Sequence, residues 1–569
     1  MPERILIGVA WPYPNGPLHL GQIAGANLPA DIFARYHRLK GNEVLMVSGT
    51  DQHGTPVTIR AEQEGLTPQR LVDRYHAQYL EAWERLGISY DLYSSTGTDN
   101  HRTVVQSLFL RLYEQGMLYT ASSPHPYCEQ DKRFLPDRYV EGTCPFCENS
   151  KARGDQCEAC GQPLNPQELK DWRCKTCGQP PVLRDTEHFF FRLSAFQDAL
   201  IPWVKRAEGR WRPNVYNFTI KWLTNGLIDR PITRDIGWGI PVPLPGYEGK
   251  RIYVWFEAVI GYLSAAIEWA ERRGDPDAWR TFWQDDSCRV YNFLGKDNIA
   301  FHTIIWPAIL MAYGGYDPDK EKGDYNLPYD IPANEFLSLE GRKFSTSQNW
   351  AVWLPDYLER YAADPLRYYL SANMPEGADS DFSWREFLRR NNNELVATYG
   401  NLVHRVLTIT YRNFDRRVPE PGALGELDHG LLNSGQSALE EVSKDLERCH
   451  FREAIGRAMA LASEGNRYID AKAPWKAVIE DQQSAATTLW VALQTISALK
   501  TAFAPFLPFS SAKLHTILGL PGDVENAGWQ VQPLLPGQLL KEPTPLFAKL
   551  DDDIVREEGI RLEAQRTQI

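Results

Sequence analysis

The chain has 569 residues, 43% hydrophobic and 24% charged, a composition that suits several globular domains and at least one large core. It has no run of 18 apolar residues, and its start, MPERILIGVAWPY, has neither a basic leader nor a small-residue cleavage site. Neither a membrane span nor secretion is therefore expected, and the reading is cytoplasmic. The formal charge of −12 does not favour a nucleic-acid partner, yet a local basic face on an acidic protein still binds phosphate, so charge leaves that open.

Residues 5–10 read as a short buried strand and EVLMVSG (43–49) as another. The helical pattern between them ends at LKG, with Gly41 as its stop, and Pro29 should kink that helix or shift its start. This is one β-α-β unit, which implies a parallel sheet. Further strands are expected at RIYVWF, RVYNFLG and NEFLSLEG, and a long insertion, residues 118–228, splits the sheet. Beyond about residue 385 strand signals nearly vanish. NNNELVATYGNLVHRVL places Leu395, Leu402 and Val406 on one helical face, and similar patterns recur at 434–446, 451–470 and 484–503. The fold class is α/β: a Rossmann-like parallel sheet with a cysteine-bearing insertion, followed by an all-α bundle.

In an open parallel sheet, ligands sit beyond the carboxyl ends of the strands, near the point where strand order reverses. His19 and Gly21 (in WPYPNGPLHLGQ, 11–22) follow the first strand, Asp51 and His53 the second, and Gly295, Asp297 and His302 a later one. The small Gly16 and Gly21 before a helix would let a phosphate approach the backbone. The spacing fits neither the dinucleotide fingerprint nor the phosphate loop ending in G-K-[ST].

Seven of the nine cysteines fall between Cys128 and Cys177. CPFC and CEAC, carrying Cys144, Cys147, Cys157 and Cys160, form two C-x2-C pairs, the pattern of a closed tetrahedral zinc site. The third pair, Cys174 and Cys177, has Cys128 as a partner. Asp131 stands where a C-x2-C would put its second cysteine, so these four make a second zinc site, against the alternative of a metal-free knuckle. Neither zinc should be catalytic.

HLGQ (19–22) resembles the HIGH motif of class I aminoacyl-tRNA synthetases, and KFSTS (343–347) resembles their KMSKS loop. Within that class the chain is most similar to the methionyl-tRNA synthetases, through YPNGPLHLGQ, GTDQHGTP, FLPDRYVEGTCPFC, VWFEAVIGY, FLGKDNIAFH, YGNLVHR and NRYIDAKAPW. Two departures stand out: Gln22 replaces the second histidine of HIGH, and Thr346 replaces the second lysine of KMSKS. The expectation is a working enzyme whose phosphate contacts shift to Lys296, Arg342 or Arg234.

The resemblance implies a methionine–tRNA ligase that forms methionyl-adenylate from ATP and methionine, then passes methionine to the terminal ribose of initiator and elongator tRNA. The attacking carboxylate is already charged, so catalysis rests on positioning and charge stabilisation. His19, Gln22, Lys343, Thr346 and Arg234 are the implied catalytic residues, with Gly21, Gly295, Asp297 and Lys343 on ATP and Mg²⁺ accompanying it. Asp51 would pair with the ammonium group, while Ala10, Trp11, Tyr13, Trp255, Val259, Tyr262, Asn298 and His302 would hold the methionine side chain. Asn401, Arg405 and Trp475 would read the anticodon, expected to be CAU.

The implied division is 1–117 and 229–325 for the two halves of the catalytic domain, with the zinc-knuckle insertion 118–228 between them. Residues 326–384 would form the KMSKS-like loop and stem-contact region, 385–545 the anticodon-binding bundle and 546–569 a helical tail. The insertion leaves little room for an editing domain, and a monomer is expected. The rivals are a cysteinyl enzyme of the same class, a non-catalytic RNA-binding descendant, and a nucleotidyltransferase.

Overall fold

The computed structural model describes residues 2–566 apart from 155–156, 158, 160–163, 165, 318, 320–322 and 347. Its central sheet runs Pro328–Asp330, Cys288–Gly295, Arg4–Val9, Glu43–Thr50, Leu92–Ser95, all parallel, with Ala333–Asn334 pairing the end of Cys288–Gly295. The chain moves outward from Arg4–Val9 in one direction and later returns to its other side, so strand order reverses between Arg4–Val9 and Cys288–Gly295. The two strands are apolar on both faces: Ile5, Ile7 and Val9 point into one core, Leu6 into the other.

The helix after the first strand is continuous in space but changes pitch. Leu20–Gln22 passes through a π turn, Ile23–Asn27, before the α-helix Leu28–Leu39. Pro29 has no N–H to give, and the widened turn absorbs it at the start of the α-helical part rather than by a kink. Gly41, at φ +80°, ends that segment as the sequence suggested.

One expected strand is absent. RIYVWF contributes only Arg251–Ile252 to a short ribbon, and the helix Val254–Arg272 starts inside it. That helix is buried nearly all round, so its apolar residues lack the helical period that would have marked it.

Between Leu92–Ser95 and Cys288–Gly295 the chain forms an antiparallel sheet, Arg230–Pro231, Val182–Phe191, Leu118–Cys128 and Arg133–Phe134, and a smaller one built from Ala152–Arg153, Val140–Thr143 and Lys170–Cys174; the first extends just past the expected insertion boundary at 228. The helical part contains Asn401–Asn413, Glu426–Glu447, Phe451–Lys472, Pro474–Glu480 and Gln482–Phe503, and the chain closes with Ile554–Arg566. Among the described residues no helix is long and apolar enough to cross a membrane.

Arg367 joins the sheet-bearing and helical parts. Fully buried, it donates to Asp31 (2.6 Å) in the helix after the first strand and to the carbonyls of Pro505 and Phe506 from the bundle. Burial alone would raise the Asp31 carboxyl, but Arg35 and Arg367 hold it down at about 2, so the buried charge is paired rather than stranded.

Candidate active site

The carboxyl ends of the three innermost strands face one cavity of about 680 Å³. Its walls include Ala10, Trp11, Tyr13, His19, Gly21 and Gln22 from the first strand end, Asp51 from the second, and Gly295, Asp297, Asn298 and His302 from the third. Trp255, Val259 and Tyr262 come from the helix Val254–Arg272, and Lys343 and Phe344 from the KFSTS loop. Residues that lie far apart in sequence thus meet at the switch point.

His19 precedes the first helical turn. Its Nδ1 accepts the Gly21 N–H (3.1 Å), which leaves the proton on Nε2, and Gln22 Oε1 accepts the His19 N–H (3.0 Å). Gln22 therefore works as the second half of a capping box. Desolvation in the cleft lowers His19 to about 4, so it is a neutral hydrogen-bond donor at physiological pH. Phe344 stacks on its ring at 5.0 Å, which ties the KFSTS loop to HLGQ.

Asp51 is 3% exposed, and its Oδ1 has no hydrogen-bond partner among the described residues. Burial, then the nearby Glu257, pushes its carboxyl well above the usual range. A buried carboxylate without a cation is costly, and an ammonium group entering the cavity would supply one. Glu257, fully buried, is served by His53 Nδ1 at 2.8 Å and faces His101 Nε2 at 3.7 Å. These histidines hold it low against the burial penalty.

Deeper in, His302 Nδ1 donates to the Asn298 carbonyl (2.9 Å), so Nε2 is bare and accepts the Tyr262 hydroxyl (2.7 Å). Burial lowers His302 to about 4, which keeps this tautomer neutral. The Trp11 indole lies against Gly49 and Gly261, where a methyl group would sit 2.6 and 2.8 Å from the ring, so both positions must be glycine for that wall to form. Trp255 Nε1 donates to Tyr13 Oη (2.7 Å) across the mouth.

The cations are distributed unevenly. Of the four considered from sequence, only Lys343 lines the cavity. Lys296 is engaged by Glu335 (2.6 Å) and Asp379 (2.8 Å), and Arg342 stacks on Trp350. Arg234 stacks on Tyr253 in a small neighbouring pocket, and Thr346 is exposed outside the cavity wall. Arg138, from the insertion, does line the cavity. Sequence reasoning missed it; only its place in FLPDRYVEGTCPFC, one of the family-like segments, pointed that way.

Cys128, Asp131, Cys174 and Cys177 bring their ligand atoms within 4.8 Å of one another, as do Cys144, Cys147 and Cys157. Cys160 lies outside the described residues. Cys128 and Cys177 sulfurs are 3.4 Å apart, and Cys174 Sγ is 3.0 Å from Asp131. Three thiols and a carboxylate converging this closely form a donor set that fits zinc. In the bundle, the Arg405 guanidinium lies 4.8 Å over the Trp475 ring, which is 38% exposed, and pairs with Asp470 at 3.0 Å. Asn401 is exposed one helical turn before Arg405.

Comparison with known proteins gives the chain its family. A family profile described as "tRNA synthetases class I (M)" matches residues 5–407, and one described as "Anticodon binding domain of methionyl tRNA ligase" matches 418–567. A methionine–tRNA ligase of Dehalococcoides mccartyi is 57% identical over 99% of this chain and 100% of its own length, and one from Thermomicrobium roseum is 53% identical with the same coverage. Mycobacterium tuberculosis methionyl-tRNA synthetase in complex with methionyl-adenylate superimposes with a TM-score of 0.79 at 27% identity, covering 96% of this chain and 100% of that one. The chain belongs to the methionyl branch of the class I tRNA synthetases.

Proposed function

We propose that this enzyme, a methionine–tRNA ligase, activates L-methionine with ATP and transfers it to the 3′-terminal ribose of initiator and elongator tRNA. The observation that carries the site assignment is the convergence of His19, Asp51, Asp297 and Lys343 on one cavity walled by aromatic side chains. Asp51 binds the ammonium group, which turns the methionine carboxylate toward the phosphates. Ala10, Trp11, Tyr13, Trp255, Val259, Tyr262, Asn298 and His302 enclose the thioether, which packs well at ring edges.

The carboxylate attacks the α-phosphorus of ATP, a bond forms to its oxygen, and pyrophosphate leaves. His19 donates from Nε2 to a phosphate oxygen without changing its own charge, and Lys343 stabilises the charge growing on the leaving group. Gly21 lets the phosphates approach the backbone, and Gly295 and Asp297 hold the ribose. Mg²⁺ bound with ATP would neutralise phosphate charge. A hydroxyl of the terminal tRNA ribose then displaces AMP from the adenylate.

Gln22 has a capping task that its amide satisfies, which fits its presence in a working site. Thr346 and Arg234 have less support as catalytic groups, because neither lines the cavity. Asn401, Arg405 and Trp475 offer an amide, a guanidinium and an exposed indole to splayed anticodon bases. The two cysteine sets, Cys144, Cys147, Cys157 and Cys160 and then Cys128, Asp131, Cys174 and Cys177, would each hold a structural zinc, which would staple the insertion. The protein works as a cytoplasmic monomer.

Amino-acid-dependent exchange of labelled pyrophosphate into ATP, run across the twenty amino acids, tests the activity. Methionine alone should support it; exchange with none, or with cysteine, would overturn the reading. Zinc per chain should be two equivalents, and one would remove the second site.

A further inference from the structure

The loop that presents Lys343 is held from a direction its own sequence does not reveal. Asn349 sits at its far end in a left-handed conformation (φ +49°), one that asparagine tolerates better than most residues. Its side-chain amide faces two ways: Oδ1 accepts Trp353 Nε1 (3.1 Å), and Nδ2 donates to the backbone carbonyl of Gln565 (2.8 Å), 216 residues away in the closing helix Ile554–Arg566. Trp353 in turn bridges to His19 through the backbone, with the two rings edge to face at 6.2 Å. An unbroken path of contacts therefore runs from the closing helix through Asn349 and Trp353 to the histidine of HLGQ.

The same helix is anchored about two turns earlier. Glu558, 3% exposed, receives Arg360 through both Nε (3.0 Å) and Nη2 (3.1 Å), the Tyr361 hydroxyl (2.7 Å) and Arg561 (2.5 Å). Arg360 and Tyr361 end the short helix Leu354–Arg360 that directly follows the Lys343 loop. Ile554 and Leu562 are buried on the same side of the closing helix. A carboxylate with four donors in a dry setting is well fixed. The segment 343–361 is thus gripped by the closing helix at two points, Asn349 and Arg360–Tyr361.

We infer that the closing helix Ile554–Arg566 braces the Lys343 loop in its phosphate-facing position, with Asn349 as the positioning residue of the adenylation step and Glu558 as the anchor of the brace. The inference rests on the reading of Lys343 as a pyrophosphate contact. It explains how a loop with one lysine fewer than the family pattern keeps its remaining cation in place: Thr346 supplies no second charge, and the closing helix adds a restraint to the local pairing of Lys343 with Ser338 and of Ser345 with Trp350. Preorganisation lowers the cost of ordering a cationic side chain when the nucleotide arrives.

The test uses the full chain with Asn349→Gly, which tolerates the left-handed backbone and removes the side-chain amide, and with Glu558→Ala, which leaves the loop's own sequence intact. Amide hydrogen exchange read by mass spectrometry should speed up across residues 343–350 in both variants. That measurement needs no substrate, so its outcome is separate from that of the function reading. In methionine-dependent pyrophosphate exchange, Asn349→Gly should raise the KM for ATP roughly ten-fold, the scale of two lost hydrogen bonds, while the KM for methionine stays within about two-fold. The double variant should shift ATP no further than the larger single effect, because both changes release one brace. Unchanged exchange at 343–350 in Glu558→Ala, an unchanged ATP KM in Asn349→Gly, or additive effects would each overturn the inference.

Discussion

The cleft under His19 buries its polar groups, whereas the Arg405–Trp475 face of the helical bundle leaves them in water. Asp51 is 3% exposed with an oxygen unpartnered, and His19 and His302 are both driven to about 4 by desolvation. Trp475, by contrast, keeps 38% of its surface exposed, with Arg405 already stacked on it and paired to Asp470. The contrast follows from ligand size. A free amino acid offers few atoms, so each contact must be made in a dry site where it counts most. An anticodon loop brings large flat bases, and an exposed indole can stack on them without prior burial. Removing a buried charge from the first surface should therefore cost more than removing a stacking ring from the second.

Asp51→Asn should have the largest effect. The amide keeps the shape and loses the charge, so an incoming ammonium group would be buried without its partner. Losses of this kind run to about 3–5 kcal/mol, which is roughly two to three and a half orders of magnitude in the KM for methionine. Steady-state pyrophosphate exchange measures it, with tRNA affinity as the internal control; a change under ten-fold would show that the cleft does not work through buried charge.

The bundle also buries a charge, on Lys500, and it inverts the comparison. Lys500 is 0% exposed, and its ammonium group donates to Gln532 Oε1 at 2.8 Å. Burial lowers it from 10.5 to about 8. The folded state thus binds fewer protons than the unfolded state between pH 8 and 10.5, so stability rises as pH climbs through that window and the full cost is present below pH 8. At about 1.4 kcal/mol per unit the cost is ~3 kcal/mol. Lys500→Met should stabilise the protein by an amount of that order at pH 7, with the advantage shrinking toward pH 10.5. Urea unfolding at several pH values reads both, and a stability change independent of pH would assign the effect to packing instead.

Much of the cleft was legible because strand ends carry their own punctuation. HLGQ, GTDQHG and FLGKDN each follow an apolar run, and the parallel sheet can only gather them at one rim. The clustering of Cys128 and Asp131 with Cys174 and Cys177, and of Cys144 and Cys147 with Cys157, was legible for a similar reason, since ligand spacing is local. The rest depends on long-range contacts that no local pattern encodes. RIYVWF has the β-branched and aromatic content of a strand, and only full burial of the following helix makes it a helix start. The His53–Glu257 pair spans 204 residues, and Lys296 is claimed by Glu335 and Asp379 from two separate segments. The cations expected to replace the lost lysine could not be ranked until those partners were known.

On the exposed surface, Trp475→Ala should remove one stacking platform, worth about 1–3 kcal/mol, or roughly a ten- to hundred-fold fall in the kcat/KM of tRNA charging. Adenylate formation should be untouched, since the indole is on the bundle and not on the cavity wall. Equal losses in charging and pyrophosphate exchange would mean that the two surfaces are not separable.

The smallest effect should come from Tyr262→Phe. Its ring stays in place to wall the cavity, and only the hydroxyl is lost, so His302 Nε2 loses its donor. His302 is buried, and its other nitrogen remains bonded to Asn298, so the imidazole keeps its tautomer and turns an unpaired acceptor toward the methionine side chain. A single neutral hydrogen bond of about 1 kcal/mol predicts a rise of roughly five-fold in the KM for methionine with kcat preserved. The pH profile sharpens the point. Without the tyrosine donor, Nε2 is free to take a proton, so His302 should titrate at a higher pH than in the parent and bring with it an acid-side loss of methionine binding. An identical profile in the two proteins would mean that the Tyr262 hydroxyl does not hold His302 in its neutral form.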